Sequence, residues 1–247
     1  MKMFLQSRRH SNFKMKRRFS LLFGLAMIAV RAGAGTISGT VHAEGKTGAD
    51  ADANCGKYDS REFKFKERVD YAAMHDFVVF LEGPMGTNEL VVPDKTVQVT
   101  TDKKITQKGA AFNPHVLPIM RGTTVEWPNN DDIFHNVFSF SEPMPFDLGL
   151  YKKGEKAKPI KFDVPGRVDV FCSIHASMSC VVLVLENPYF ASTDKKGVYS
   201  IANVPPGTYK LKAWHERLPA QVKEITVPGN GDVKVDFTLG ITNLPKY

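Results

Sequence analysis

Cys172, His175 and Met178 stand three residues apart in the stretch VFCSIHASMSC. One short loop can aim three such side chains at a single ion, because a turn reverses the chain within a few ångström. A fourth donor must come from elsewhere, and His135 in PNNDDIFHNVFSF, at the start of a strand-like run, is the best candidate. Two imidazoles, one thiolate and a thioether form a soft donor set that suits copper, with a trigonal two-histidine, one-cysteine arrangement and a weak axial methionine. Zinc accepts cysteine and histidine as well, but a methionine is a poor fourth ligand for it. The bland alternative is a buried cysteine beside a surface histidine and a core methionine.

The elements that must carry these residues read as strands. TISGTVHA, DFVVFLEG, KTVQVTT, TTVEW, NVFSF, KPIKFDV, RVDVFC, VVLVLE, GVYSI, GTYKLKAW, KEITV and VKVDFTL are short runs rich in Val, Ile, Thr, Phe and Tyr, many of them alternating. Turn sequences such as VPDK, WPNNDD, VPGR, VPPGT and VPGNGD separate them. No amphipathic pattern persists beyond about three helical turns, so the class is all-β, sandwich or barrel. Cys172 ends the run RVDVFC and His135 opens NVFSF, so the chemistry falls on strand ends and loops.

The first 34 residues hold eight basic groups and no acidic one. An apolar run from Phe19 to Val30 follows the basic start, and Ala32-Gly33-Ala34 supplies small residues for cleavage after Ala34. This is the layout of a secretory signal peptide, too short to span a bilayer comfortably. Arg17-Arg18 also admits twin-arginine export alongside the general secretory route. The expected location is therefore periplasmic or otherwise exported, with no transmembrane span in the mature chain. The whole chain has 33 Lys and Arg against 26 Asp and Glu, a net charge of +7. Without the leader the balance is 25 against 26, so the basic excess belongs to the leader, nothing in the charge argues for nucleic acid, and no nucleic-acid partner is expected.

The segments FNPHVLPIMRGTTVEWPNNDDIFHNVFSF, FDLGLYKKGE and FDVPGRVDVFCSIHASM resemble the cupredoxins, the plastocyanin and amicyanin group of blue copper proteins. The short Cys-x2-His-x2-Met loop is most similar to the amicyanin pattern. The resemblance implies a Greek-key β-sandwich holding one type 1 copper through His135, Cys172, His175 and Met178. Asn136 then braces the cysteine loop, and the edge of His175 serves as the electron port. It further implies a carrier of single electrons, not an enzyme, passing them between partners such as a dehydrogenase or a cytochrome. The alternative is a copper storage, delivery or sensing protein, or an envelope interaction module.

TDKKGVYSIANVPPGTYKLKAWHE and VKVDFTLG resemble a carboxypeptidase regulatory-like domain, a small Ig-like or transthyretin-like sandwich. Its usual opening strands match TISGTVHA and DFVVFLEG, far upstream. The expected organisation is a signal peptide (1–34), the first strands of the regulatory-like sandwich (35–93), an inserted cupredoxin domain (94–187) and the rest of the regulatory-like sandwich (188–247). Two tandem domains are the rival.

Other features carry less. DADAN (50–54) begins like a calcium loop, but Cys55 stands where the turn glycine belongs and Arg61 where the bidentate glutamate belongs. His115 is expected to have a structural partner rather than a metal, and His215 a surface or structural role. In an oxidising compartment Cys55 and Cys180 could form a disulfide; otherwise Cys180 is a competing thiol eight residues from Cys172.

Overall fold

The structure, a computed structural model, describes residues 33–45, 70–84, 102–155, 157–229 and 231–240. It is all-β, with one 3-10 turn (Tyr71–Ala73) among the described residues. Two strands come first, β1 (Gly35–Glu44) and β2 (Val78–Leu81). A middle block holds β3 (Asp102–Lys104), β4 (Thr106–Gln107), β5 (Phe112–Asn113), β6 (Val116–Met120), β7 (Thr123–Glu126), β8 (His135–Ser139), β9 (Phe146–Tyr151), β10 (Ile160–Phe162), β11 (Gly166–Phe171) and β12 (Ser179–Leu185). The last block is β13 (Phe190–Ser192), β14 (Val198–Val204), β15 (Gly207–His215), β16 (Leu218–Val227), β17 (Val233–Lys234) and β18 (Phe237–Gly240).

The middle block forms a five-stranded sheet in the order β6-β12-β11-β8-β9 and a three-stranded sheet β10-β7-β3. Alternating apolar residues of both sheets, among them Val125, Phe162, Val137, Val168, Val170 and Val182, make one core. The outer blocks build the second sandwich. There β1 pairs with β14, β17 and β18, while β2 pairs with β13 and β15. Its core includes Ile37, Val79, Leu81, Tyr199, Leu211 and Phe237. Thus the strands before the middle block find their partners after it.

Strand β12 is covered on both faces. Cys180, Val182 and Val184 face the middle block's core. Val181, Leu183 and Leu185 pack with Val78 and Val116 in a third cluster that also takes in Phe80, Phe190 and Trp214. Side chains alternate along a strand, so a strand covered on both faces must be apolar without interruption. That accounts for the run CVVLVL.

Gly197 shows one local demand of the fold. It closes the turn before β14 at φ 79°, and a Cβ there would collide with the Val41 carbonyl, whose own residue's N–H donates to Gly197 O at 2.8 Å. Only glycine takes this conformation at such close approach. KTVQVTT, DADAN, Cys55 and the leader residues 1–32 lie outside the described residues. Among the described residues no helix is long and apolar enough to cross a membrane.

Candidate metal centre

Two strand ends of the five-stranded sheet meet at the site. β8 opens with His135, which is 0% exposed, and β11 delivers Cys172, which is 6% exposed, just past its last residue. Phe138 opposite Phe171 joins the two strands, so their termini are fixed against each other. The loop then closes on itself: Cys172 N–H donates to Met178 O at 3.1 Å and Met178 N–H to His175 O at 2.9 Å. This narrow turn points His175 back at Cys172.

The donor atoms of His135, Cys172 and His175 lie within 4.8 Å of one another. The two Nδ1 atoms are 3.0 Å apart, and Cys172 Sγ is 3.7 Å from His175 Nδ1. A span of 4.8 Å is close to twice a metal–ligand bond of about 2.0–2.3 Å, so one ion can reach all three. Met178 is buried in the same core as Cys172. Two imidazoles and a thiolate fit copper by donor chemistry.

Asn136 ties the two ends. Its Oδ1 accepts the Ser173 N–H at 2.7 Å, and its Nδ2 donates to Asp147 Oδ1 at 3.1 Å. Asp147 Oδ1 also accepts the Gly149 N–H at 2.8 Å. The loop carrying Cys172 and His175 is thus held to the strand carrying His135.

Behind His135 stands Asp131, four residues earlier. Its Oδ2 is 3.0 Å from His135 Nε2. The same carboxylate accepts the Gly109 N–H at 2.9 Å and the Ala110 N–H at 3.0 Å. Gly109 and Ala110 both have positive φ, 63° and 53°, in the two-residue turn between β4 and β5, where Lys108 N–H donates to Ala111 O. These two backbone amides, with His135 adding to them, hold the Asp131 carboxyl far below the usual carboxylate range. Asn129 braces the loop, its Oδ1 accepting the Asp131 N–H and its Nδ2 donating to Ile133 O and Tyr151 O. Burial pushes the Tyr151 phenol up to about 12.

His175 is half-buried, and exposed Ile133, Phe134 and Ile174 surround this end of the sandwich. Lys152 Nζ lies 5.6 Å from the Phe134 ring.

The remaining sequence candidates fall elsewhere. Cys180 carries a free thiol, 1% exposed, and burial raises its pKa well above the ordinary value; Cys55 lies outside the described residues. His115 faces Ser179 O at 3.1 Å and Glu216 Oε1 at 2.9 Å, bridging the two sandwiches. His215 is buried rather than on the surface. It lies 5.0 Å from the Phe77 ring, accepts the Arg217 N–H and has its pKa lowered by burial. Asp131 was not singled out from the sequence, although an acidic residue four positions before the histidine was its visible signal.

Fold and site together define an all-β protein with a histidine–cysteine–histidine donor group at the end of a sandwich. Comparison with known proteins finds one family match over part of the chain and several similar solved structures. The carboxypeptidase regulatory-like domain family matches residues 179–240. The match begins in β12, which hydrogen-bonds into the five-stranded sheet, whereas the second sandwich takes β2 from far upstream. A copper-containing nitrite reductase from Thermus scotoductus SA-01 is 32% identical over 35% of this chain and 23% of its own, with a TM-score of 0.33. This chain therefore spans under a quarter of that reductase. An amicyanin variant in its Cu(I) form is 23% identical over 34% of this chain and 81% of its own, TM-score 0.32. A purple cupredoxin from Nitrosopumilus maritimus is 27% identical over 34% and 99%, TM-score 0.30. No curated protein matches the chain.

Proposed function

We propose that this is an exported type 1 copper protein that carries single electrons between redox partners. The convergence of His135, Cys172 and His175 within 4.8 Å is the observation that carries the reading. These three residues would hold the ion, with Met178 as the weak fourth ligand. Copper bound there supplies one-electron exchange between Cu(I) and Cu(II).

The chain's own part is to keep the donors still and dry. His135 and Cys172 are buried on strand ends, and the Asn136 clamp resists movement of the cysteine loop. Little rearrangement between oxidation states is what a carrier needs. Half-buried His175 gives the route to solvent, and a dehydrogenase or cytochrome is the expected kind of partner.

The same reading treats residues 94–187 as a cupredoxin domain inserted into a regulatory-like sandwich made of 35–93 and 188–247. Its support is the pairing of β1 and β2 with strands beyond the middle block.

The test is the visible absorption and electron paramagnetic resonance of the purified protein after loading with Cu(II). An intense thiolate-to-copper band with narrow hyperfine splitting is expected. Weak copper bands alone would move the protein to a storage, delivery or structural role.

A further inference from the structure

We propose that Asp131 is a positioning residue that fixes the tautomer of His135 and, through its negative charge, favours the oxidised metal. The second half rests on the copper reading above; the first does not.

The geometry allows one arrangement of the proton. Asp131 Oδ2 lies 3.0 Å from His135 Nε2, and the carboxylate already accepts two backbone N–H groups. An ionised carboxylate only accepts hydrogen bonds, so Nε2 must carry the proton. The lone pair is then on Nδ1, the atom that faces His175 Nδ1 at 3.0 Å. The His135 side chain is 0% exposed and that of Asp131 10%, so the bond is largely shielded from water. A hydrogen bond from the far nitrogen to a carboxylate makes a ligating imidazole a stronger donor.

Charge acts in the same direction. The carboxylate stands one imidazole ring away from the donor atoms, on the buried side, where screening by salt is weak. A fixed negative charge stabilises Cu(II) more than Cu(I). Three groups oppose it: the Lys108 ammonium, 3.8 Å from Asp131 Oδ1 but on a largely exposed side chain, and the Gly109 and Ala110 amide dipoles that hold the carboxylate. Asp132, the next residue, is turned to Lys153 at 3.3 Å on the surface. The structure therefore gives His135 a dedicated anionic partner.

Two measurements test this. In 15N-histidine spectra of the metal-free full chain, neutral His135 should be protonated at Nε2; a ring protonated at Nδ1 would overturn the proposal. This readout needs no copper, so it stands even if the copper reading fails. In the copper-loaded protein, Asp131→Asn should lower Cu(II) affinity relative to Cu(I) by about tenfold, within the range for partners of metal-bound histidines. A tenfold change is a rise of about 59 mV in the one-electron potential. An Asp131→Asn protein with the wild-type band and an unchanged potential would sink the charge role while leaving the copper site intact. Should that variant not fold, the wild-type spectra decide.

Discussion

The two sandwiches bury apolar residues in similar numbers but treat polar ones differently. In the middle block Gln107, Asn129, Asp131, His135, Asn136 and Ser139 are all buried, and most lie in the loop and strand start around the donor group. The outer sandwich buries Asn187 and His215. Asn187 acts as a splice, donating to Leu81 O and Gly83 O at the end of β2. Burying a polar group costs free energy unless its hydrogen bonds are replaced, so a dense polar network at one end of a sandwich marks where shape has been traded for chemistry. Among the described residues the outer sandwich carries no such concentration and is built for packing.

That contrast can be broken by substitution. Cys172→Ser should remove the intense visible band completely while far-ultraviolet circular dichroism stays that of the wild type; a surviving band would place the metal elsewhere. Phe237→Ala in the outer core should do the reverse. Phe237 is 1% exposed, and its truncation should cost about 3–5 kcal/mol in denaturant titration. Below the lowered transition the band per folded molecule should be unchanged, and loss of the band in the still-folded protein would mean that the outer sandwich shapes the site.

A third change sharpens the comparison at the clamp. Asn136→Ala strands the Ser173 N–H and frees Asp147, costing about 1–3 kcal/mol. It should also speed metal loss, measured by transfer to a chelator. A change in stability with no change in metal retention would reduce Asn136 to an ordinary core residue. The effect that needs the most extreme condition belongs to the outer sandwich at high pH. Tyr199 donates to Val235 O at 2.6 Å, and burial raises its phenol well above the ordinary 10.0. The unfolded chain loses that proton near pH 10 and the folded one keeps it. Stability is therefore complete below pH 10 and falls above it by about 1.4 kcal/mol per pH unit until the folded phenol ionises. Tyr199→Phe should flatten that slope; an equally steep slope in the variant would assign the alkaline loss to another group.

The donor loop was legible in the sequence because its residues are contiguous, and a seven-residue loop between two strands has few ways to point Cys172 and His175. His135 was legible from its place at a strand start. Asp131 was not, because its importance is created by Gly109 and Ala110, whose amides arrive from a turn more than twenty residues upstream. Among the strands, β6 and β9 escaped the pattern: Pro118 interrupts one and Gly149 the other, and both break the apolar alternation that marks a strand. β13 is three residues long and too short to show a period. The run CVVLVL announced burial on both faces, but nothing in it named the two partners. His115 was expected to be structural, yet its pairing with Glu216, 101 residues away, could come only from the fold.

Strand β12 also limits how freely these parts can be recombined. A metal module cut out at the ends of the middle block would carry Val181, Leu183 and Leu185 on its surface, a sticky stripe that no solvent-facing sequence would choose. A one-residue slip of β12 against β11 would exchange that stripe with Cys180, Val182 and Val184, so packing on both faces holds the strand to a single register. The metal loop and the interface with the second sandwich are therefore bound to one reading frame of a single strand, and a graft that keeps the loop must keep the neighbour or redesign the wall between them.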